Sequence, residues 1–351
     1  MDRFGTQALD TYRLGGGREV GTFIDSKTRE RLRRIIDDGT PPNTRRAYTS
    51  DMNYFWSWCS AIGWTDEPIM PVPAEIVARF VVDHLEGLDE DVERDLVDRG
   101  VKAGFGVHSM NTIDRRVSAL SALHKTKGMP SPVTDPLVSQ ILSKARKANA
   151  RRGKRVNKKK AVIKRVLDQL LAQCASDSLI DRRDRALLLF GWASGGRRRS
   201  EIADATFDRL EASEGSYVYH MGITKTDQEG DGMTVPVTGR AATAMAEWLS
   251  ASGVSKGHLF RAVDRHGNVS DTRLSDKAIA LIVKRHAQRA GLDPSIFAGH
   301  SLRSGFLTET GLQGKNLLEA MKLSGHKTMQ VAAGYHQSGA ALLNETASLA
   351  G

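Results

Sequence analysis

Four short segments in the second half of the chain contain residue types that handle phosphate groups. They are an arginine-rich junction, a lysine between two threonines, a His-x-x-Arg sequence, and a Gly-His pair followed by a tyrosine, at residues 195–202, 224–226, 299–303 and 325–335. Guanidinium groups hold two phosphate oxygens at once. Imidazole and ammonium groups move protons, and a phenol can act as a nucleophile. The combination indicates transfer of a phosphodiester.

Such a transfer without a metal needs cations on the non-bridging oxygens, a nucleophile, and a group that protonates the departing 5′ oxygen. Tyr335 is the candidate nucleophile. Because a phenol is mostly neutral at pH 7, nearby cations and a base must favour the phenolate. His300 and Arg303 share one face at the start of a predicted helix, itself an anion site. Lys225, on a predicted hairpin tip, is the candidate general acid.

Each segment alone has a simpler structural interpretation. A His-x-x-Arg pair is more often a surface pair, and three adjacent arginines form a solvated turn. Lys225 alone would be an ordinary hairpin lysine, and Tyr335 alone would fill the apolar face of a helix. The order of the five groups, each on the element that its role needs, favours one shared site.

This order resembles that of the tyrosine recombinases, the phage integrase family, and its Cre-like members most of all. The first arginine box of the family reads like Thr-Gly-Leu-Arg-Ile-Ser-Glu-Leu, and residues 196–202 match it as Gly-Arg-Arg-Arg-Ser-Glu-Ile. The match makes Arg198 the catalytic arginine and Glu201 its support, while Arg197 and Arg199 replace apolar residues. The resemblance implies catalytic roles for the remaining positions, Lys225, His300, Arg303, His326 and Tyr335.

The resemblance implies site-specific recombination through a 3′-phosphotyrosyl intermediate, with no metal or other cofactor and no ATP. The expected partner is duplex DNA with an inverted-repeat target site. The protein would form a homotetramer on that DNA and be monomeric or weakly associated when free. Two alternatives stay open: a catalytically silent DNA-binding or architectural protein, and a relaxing enzyme similar to type IB topoisomerases.

Composition and charge agree with a nucleic-acid partner. The 351 residues contain 51 Lys and Arg against 41 Asp and Glu, a formal net charge of +10. Ten of these cations lie at residues 144–160, without a carboxylate, which favours a linker that crosses phosphates. No apolar run suits a membrane span, the first thirty residues lack a secretory signal, and two cysteines exclude a Cys-rich zinc site. We expect a cytoplasmic, nucleoid-associated protein that is either bacterial or encoded by a phage or plasmid.

Hydrophobic periodicity predicts a mostly α, two-domain DNA clamp. It would combine an all-helical core DNA-binding domain with an α+β catalytic domain that has a small antiparallel sheet. The expected boundaries are a flexible segment 1–25, the helical domain 26–148, a basic linker 149–161 and the catalytic domain 162–351. Seven acids between residues 86 and 98 would be repelled by DNA, so we expect an outward loop there.

Basic residues near helix starts are the candidates for DNA contacts, to bases or to phosphates. Together with the linker cations they are Arg45, Arg46, Arg115, Arg116, Lys277, Arg151, Arg152, Lys154 and Arg155. The apolar residues 341–343 and 349 suit either a helix docked into a neighbouring subunit or packing within the chain.

Overall fold

The computed structural model describes residues 25–40, 42–151, 159–222 and 232–340. The chain forms two compact units, Met1–Val156 and Asn157–Gly351. Nearly all of the segment predicted to be flexible, residues 1–25, and the apolar stretch from residue 341 lie outside the described residues. Within the described ranges, no helix combines the length and apolarity that crossing a membrane requires.

The regular secondary structure of the first unit is helical within its described part. Its helices are α1 (Ser26–Gly39), α2 (Pro42–Ala61), α3 (Ala74–Glu86), α4 (Glu90–Asp98), α5 (Met110–Thr126) and α6 (Pro136–Arg151). The predicted apolar faces of α2, α3 and α5 form the core, with Phe55, Trp58 and Phe80 in mutual ring contact. Tyr48, near the start of α2, is 37% exposed and stays outside this core.

The acidic segment is a helix, so the prediction of a loop at residues 86–98 was wrong. Leu96 of α4 is fully buried in the core of the unit. Arg94 and Arg99 pair with carboxylates one turn earlier at 2.5 and 2.9 Å. These i,i+4 pairs and the acidic residues at the positive end of the helix offset the repulsion between like charges.

The second unit combines helices with two small antiparallel sheets. Its elements are α7 (Lys164–Leu171), α8 (Leu179–Ala193), α9 (Arg199–Ala203), β1 (Leu210–Ser213), β2 (Ser216–His220), β3 (Thr234–Val237), α10 (Arg240–Ser252), β4 (Arg261–Val263), β5 (Val269–Arg273), α11 (Asp276–Arg289), α12 (Ser301–Leu312), α13 (Leu317–Ser324) and α14 (Met329–Ala340). Buried residues from α7, α8, α10 and α11 form its main core, with Phe190 and Trp248 among the largest.

The sheets are short, and one holds the predicted hairpin. Strands β1, β2 and β3 lie in that order, and Tyr219 opposite Val235 sets the β2–β3 register. Pro236 lies on the edge strand β3, where its missing N–H is tolerated. Strands β1, β4 and β5 were not predicted, since three to five residues of mixed polarity show no clear alternation.

The first described residues of the second unit are hydrogen-bonded to the segment that precedes α12. Helix α6 extends to Arg151, three residues into the predicted linker. Beyond the undescribed residues, the Lys160 N–H donates to the Ile296 carbonyl at 2.7 Å, and Lys159 Nζ donates to the Ser295 carbonyl at 2.8 Å. The end of the basic run therefore lies directly before the helix that carries Arg303.

Candidate active site

The arginine-rich junction is a tight turn between α8 and α9. Gly195 and Gly196 have φ values of +101° and +73°, which glycine adopts without the cost of a Cβ. A Cβ on Gly196 would lie 2.6 Å from the Cα of Arg303. The absence of a side chain therefore lets the turn approach the first turn of α12.

Glu201 holds the predicted catalytic arginine from within the protein. Its Oε2 accepts the backbone N–H of Arg198 at 3.0 Å, and its Oε1 accepts Arg198 Nη1 at 2.5 Å. Burial favours a raised pKa for Glu201, but Arg197 and Arg198 outweigh it and lower the pKa below its ordinary value. Glu201 is therefore a carboxylate that orients Arg198, whose side chain keeps 20% of its surface exposed.

Arg303 lies at the centre of the cluster. It is 3% exposed, and its Nη1 donates to the Gly196 carbonyl at 3.0 Å. Its Nε lies 3.2 Å from Nε2 of His326, whose Nδ1 is 2.7 Å from Ser324 Oγ. The second arginine box is thus connected both to the first box and to the Gly325-His326 turn that follows α13.

The charges of the cluster act on its imidazoles. Burial and then the guanidinium groups of Arg303 and Arg198 lower the pKa of His326 to about 4. The same causes lower the pKa of His300, at the start of α12. Burial and Arg198 lower the pKa of Arg303 to about 10. Both imidazoles are therefore mainly neutral at pH 7 beside fixed cations, an arrangement that suits a phosphate.

Tyr335 is brought to this cluster by helix packing within one chain. Helix α14 packs along α12, and Thr308 Oγ1 donates to the Tyr335 carbonyl at 3.3 Å. Tyr335 also packs against the small apolar cluster formed by Phe306, Leu307, Ala320 and Ala332. Its phenol is close enough to raise the pKa of Arg303 when ionised. Arg198, His300, Arg303, His326 and Tyr335 thus share one site.

Comparison with known proteins agrees with this arrangement. The phage integrase family model matches residues 160–341, more than half of the chain. An integrase/recombinase XerD homolog from Selenomonas ruminantium is 30% identical over 320 residues, covering 88% of this chain and 85% of the relative. The chain belongs to the phage integrase family. The predicted enzyme class, a site-specific DNA recombinase, is confirmed by this membership.

Other comparisons define the fold and the distance to Cre. The Tn1549 transposon integrase, solved with transposon right end DNA, covers 90% of this chain and 98% of its own at a TM-score of 0.59 and 14% identity. The predicted fold class, mostly helical with small antiparallel sheets, is confirmed. Cre from Escherichia phage P1 is 24% identical over 242 residues, 65% of this chain and 70% of Cre. Cre is therefore a distant relative of this phage integrase family member.

One predicted catalytic residue of this integrase family member, Lys225, lies outside the described residues. The described chain stops at Gly222 and resumes at Gly232. Just inside these limits, the Met221 N–H donates to the Met233 carbonyl at 2.8 Å, so the two strands of the hairpin still pair there.

Apart from Arg116, the predicted DNA contacts fall into three groups. Arg45 and Arg46 are exposed on α2 and line an open depression of about 620 Å³. Arg151 and Lys277 are also exposed, at the end of α6 and the start of α11, and Arg115 pairs with Asp51 while half exposed. Arg152, Lys154 and Arg155 lie outside the described residues.

Arg116 does not occupy the surface position that a DNA contact needs. It is buried, its guanidinium carbon lies 3.2 Å from the Tyr54 ring centroid, and its Nη1 is 2.8 Å from His108 Nε2. The preceding residue, Arg115, is the one that faces outward, because adjacent helix positions point about 100° apart. The buried position of Arg116 does not support the predicted contact.

Three side chains of the site in this integrase family member were missed by sequence reasoning. Arg199 lies against Gly299, where a Cβ would overlap it, and lowers the pKa of His300. Ser324 bonds His326, and Arg197 is the buried arginine within the arginine box. The Gly-Gly sequence at 195–196 was the available signal, since it marks a close backbone approach.

Proposed function

We propose that Tyr335 cleaves one strand of duplex DNA by attacking the scissile phosphate. The Tyr335 Oη–P bond forms as the P–O5′ bond breaks, which leaves a 3′-phosphotyrosyl ester and a free 5′ hydroxyl. A 5′ hydroxyl from a partner duplex then attacks the phosphotyrosine and reverses the step. Because the ester conserves the bond energy, this sequence needs neither ATP nor a metal.

The cations of the site suit the charge that develops on the phosphate. Arg198 and Arg303 would hold its two non-bridging oxygens, with Glu201 fixing the direction of Arg198. Their guanidinium groups remain protonated at pH 7, so they act as fixed positive charges rather than proton donors.

The remaining groups would move protons or position the phosphate. His300, with its lowered pKa, is available as a neutral acceptor for the phenol proton. Lys225 would protonate the departing O5′, and His326, held by Arg303 and Ser324, would position the phosphate.

The assembly on DNA is also proposed. A homotetramer on inverted-repeat sites would bring two duplexes together, with the basic run from residue 144 crossing phosphates. The C-terminal residues from 341 are candidates for contacts between subunits. Deleting the residues after Ser338 and measuring assembly on DNA by light scattering tests that contribution.

The observation that carries the proposed chemistry is that Arg303 bonds both the first arginine box and His326, while α14, which carries Tyr335, packs along the same helix. The test is incubation with a nicked suicide duplex followed by a denaturing gel. Wild-type protein should form a covalent adduct, and Tyr335→Phe should bind DNA equally but form none. Tyr217→Phe, which alters a half-buried tyrosine of β2, is the matched control and should form the adduct.

Three other outcomes would replace the proposal. Adducts that persist in Tyr335→Phe would move the nucleophile elsewhere. DNA binding without any adduct in the wild type would favour the architectural alternative, and relaxation of supercoils without recombinant products would favour the topoisomerase-like one.

A further inference from the structure

Arg197 is a buried cation at a position where the family's arginine box has an apolar residue. It is 1% exposed and lies directly before the catalytic Arg198. Its nearest carboxylate is Glu201, at 3.9 Å from Nη1, and Glu201 already holds Arg198 at 2.5 Å. Within the described residues, its Nε has no hydrogen-bond partner.

Burying an arginine with this incomplete compensation opposes folding. Desolvation of a guanidinium costs several kcal/mol unless close partners replace the lost water. Burial accordingly lowers the pKa of Arg197, against the opposing effect of Glu201. An apolar residue of similar length would fill this space at lower cost, so the position of the charge needs another explanation.

The partner of Arg197 on the other side is the end of α13. Its Nη2 donates to the carbonyl of Leu323, one of the last carbonyls of that helix. Such carbonyls have no partner within their own helix. Leu323 directly precedes Ser324 and stands three residues before His326, so this bond attaches the His326 turn to the arginine box.

Gly195 provides the space for this bond. A Cβ at Gly195 would overlap the Leu323 carbonyl oxygen and lie 2.6 Å from Nη2 of Arg197. The family box has Thr at the corresponding position, as it has Leu in place of Arg197. Both differences from the family box therefore serve one contact: the missing side chain of Gly195 leaves the space in which the Arg197 side chain meets the Leu323 carbonyl.

We propose that Arg197 is a positioning residue that holds the Ser324-Gly325-His326 turn in place over Arg303. It acts through the Leu323 carbonyl, and its charge adds to the positive field under the scissile phosphate. This inference rests on the proposed function, because the phosphate is the group that the positioned His326 would meet.

The charge of Arg197 also acts on His326. The groups that face His326 are Arg303 on α12, Arg198 and Arg197 of the arginine box, His300, and Ser324 of its own turn. All four charged or titratable neighbours lower its pKa. Loss of the Arg197 charge should therefore raise the pKa of His326, so that protonation of this imidazole begins at higher pH.

The test compares Arg197→Met with Arg197→Lys in adduct formation on the suicide duplex. A displacement near 1 Å costs on the order of 10²-fold in rate, so single-turnover cleavage by Arg197→Met should fall roughly 10- to 100-fold. DNA affinity should stay within about threefold, and the acid limb of the rate profile should move to higher pH. Arg197→Lys keeps the charge, so its acid limb should stay at the wild-type position.

Arg183→Met is the matched control for loss of a buried arginine. Arg183 is 5% exposed and pairs with Asp184 at 2.7 Å. Loss of Arg183 should lower stability, but the acid limb of the cleavage-rate profile of the protein that remains folded should not move. If Arg183→Met and Arg197→Met change cleavage alike, Arg197 is a stabilising residue only and the proposal is wrong.

A second variant tests the proposal independently if Arg197→Met does not fold. Gly195→Ala keeps Arg197 but forces apart its contact with Leu323, and it should reduce cleavage in the same direction. Gly215→Ala, also at positive φ but with open space at its Cβ, controls for backbone strain. Wild-type adducts with unchanged rates in Gly195→Ala would overturn this inference, whereas absent wild-type adducts would overturn the proposed function.

Discussion

Replacing Glu201 by glutamine removes one negative charge from beside Arg197 and Arg198 while keeping the shape of the side chain. The carboxylate is 7% exposed and accepts two bonds from Arg198, with Arg197 at 3.9 Å. Glutamine retains one acceptor oxygen and turns an NH₂ group toward a guanidinium. The Glu201→Gln variant should therefore lose both stability and the orientation of Arg198.

The magnitude follows from these contacts. A hydrogen bond to a charged group contributes about 1.5–3 kcal/mol, and breaking a buried pair costs about 3–5 kcal/mol. Because Arg198 is 20% exposed and can recover some hydration, we expect about 2–4 kcal/mol of lost stability. A misplaced Arg198 should also slow cleavage by roughly 10²-fold.

Hydrogen–deuterium exchange of peptides from α8 and α9 measures the stability of this region within the full chain. Suicide-substrate cleavage, normalised to DNA bound, measures the rate. Glu247→Gln is the matched control, since Glu247 pairs with Arg185 at 2.9 Å but is 42% exposed. An exposed pair contributes about 0–1 kcal/mol, so this variant should resemble the wild type.

The pH dependence gives a second check with a definite sign. The folded pKa of Glu201 lies below its ordinary value of 4.5, so its stabilisation is complete above that value and is lost as the pH falls through the folded pKa. The difference between wild type and Glu201→Gln should be full at pH 7 and shrink below about pH 4.5. Equal exchange and equal cleavage at pH 7 would refute the role assigned to Glu201.

Three further predictions follow from the described contacts. Gly196→Ala should abolish cleavage, since its Cβ would lie 2.6 Å from the α12 backbone, whereas Gly253→Ala, at positive φ with open space, should retain it in the same gel assay. Arg46→Ala should reduce the slope of log DNA affinity against log salt concentration by about one. Arg116→Ala should instead mainly destabilise its unit, and a reduced salt slope in Arg116→Ala but not in Arg46→Ala would contradict these assignments. Leu96→Ala should lower the free energy of unfolding of the first unit by about 2–5 kcal/mol, measured by urea denaturation. An unchanged free energy would mean that α4 is not packed into the core.

Local signals predicted the helices whose patterns are strong. Pro73 before α3 and Ser109 before α5 mark starts that the structure shows, with Ser109 Oγ accepting the Thr112 N–H at 3.3 Å. The charges of the acidic stretch favour a loop, whereas its few apolar positions carry the signal of the helix. Leu96 could only be recognised as a core residue once α4 was seen against the rest of its unit.

The arginine register shows where local reasoning reached its limit. Three adjacent arginines are equivalent in composition, and only the following Ser200-Glu201 indicated Arg198. The structure gives them different environments: Arg197 inside, Arg198 partly exposed on Glu201, and Arg199 at the surface against Gly299. These differences arise from contacts with α12 and α13, more than a hundred residues later in the chain.

The residue types, their order and their spacing were enough to predict a phosphodiester transfer, because a phosphate demands guanidinium, imidazole and a nucleophile regardless of fold. Helices that approach one another in space decided the rest: which cations face outward, which carbonyl Arg197 contacts and how Ser324 holds His326. Such contacts join residues distant in sequence, and their energies depend on burial and distance, neither of which is encoded in any short segment.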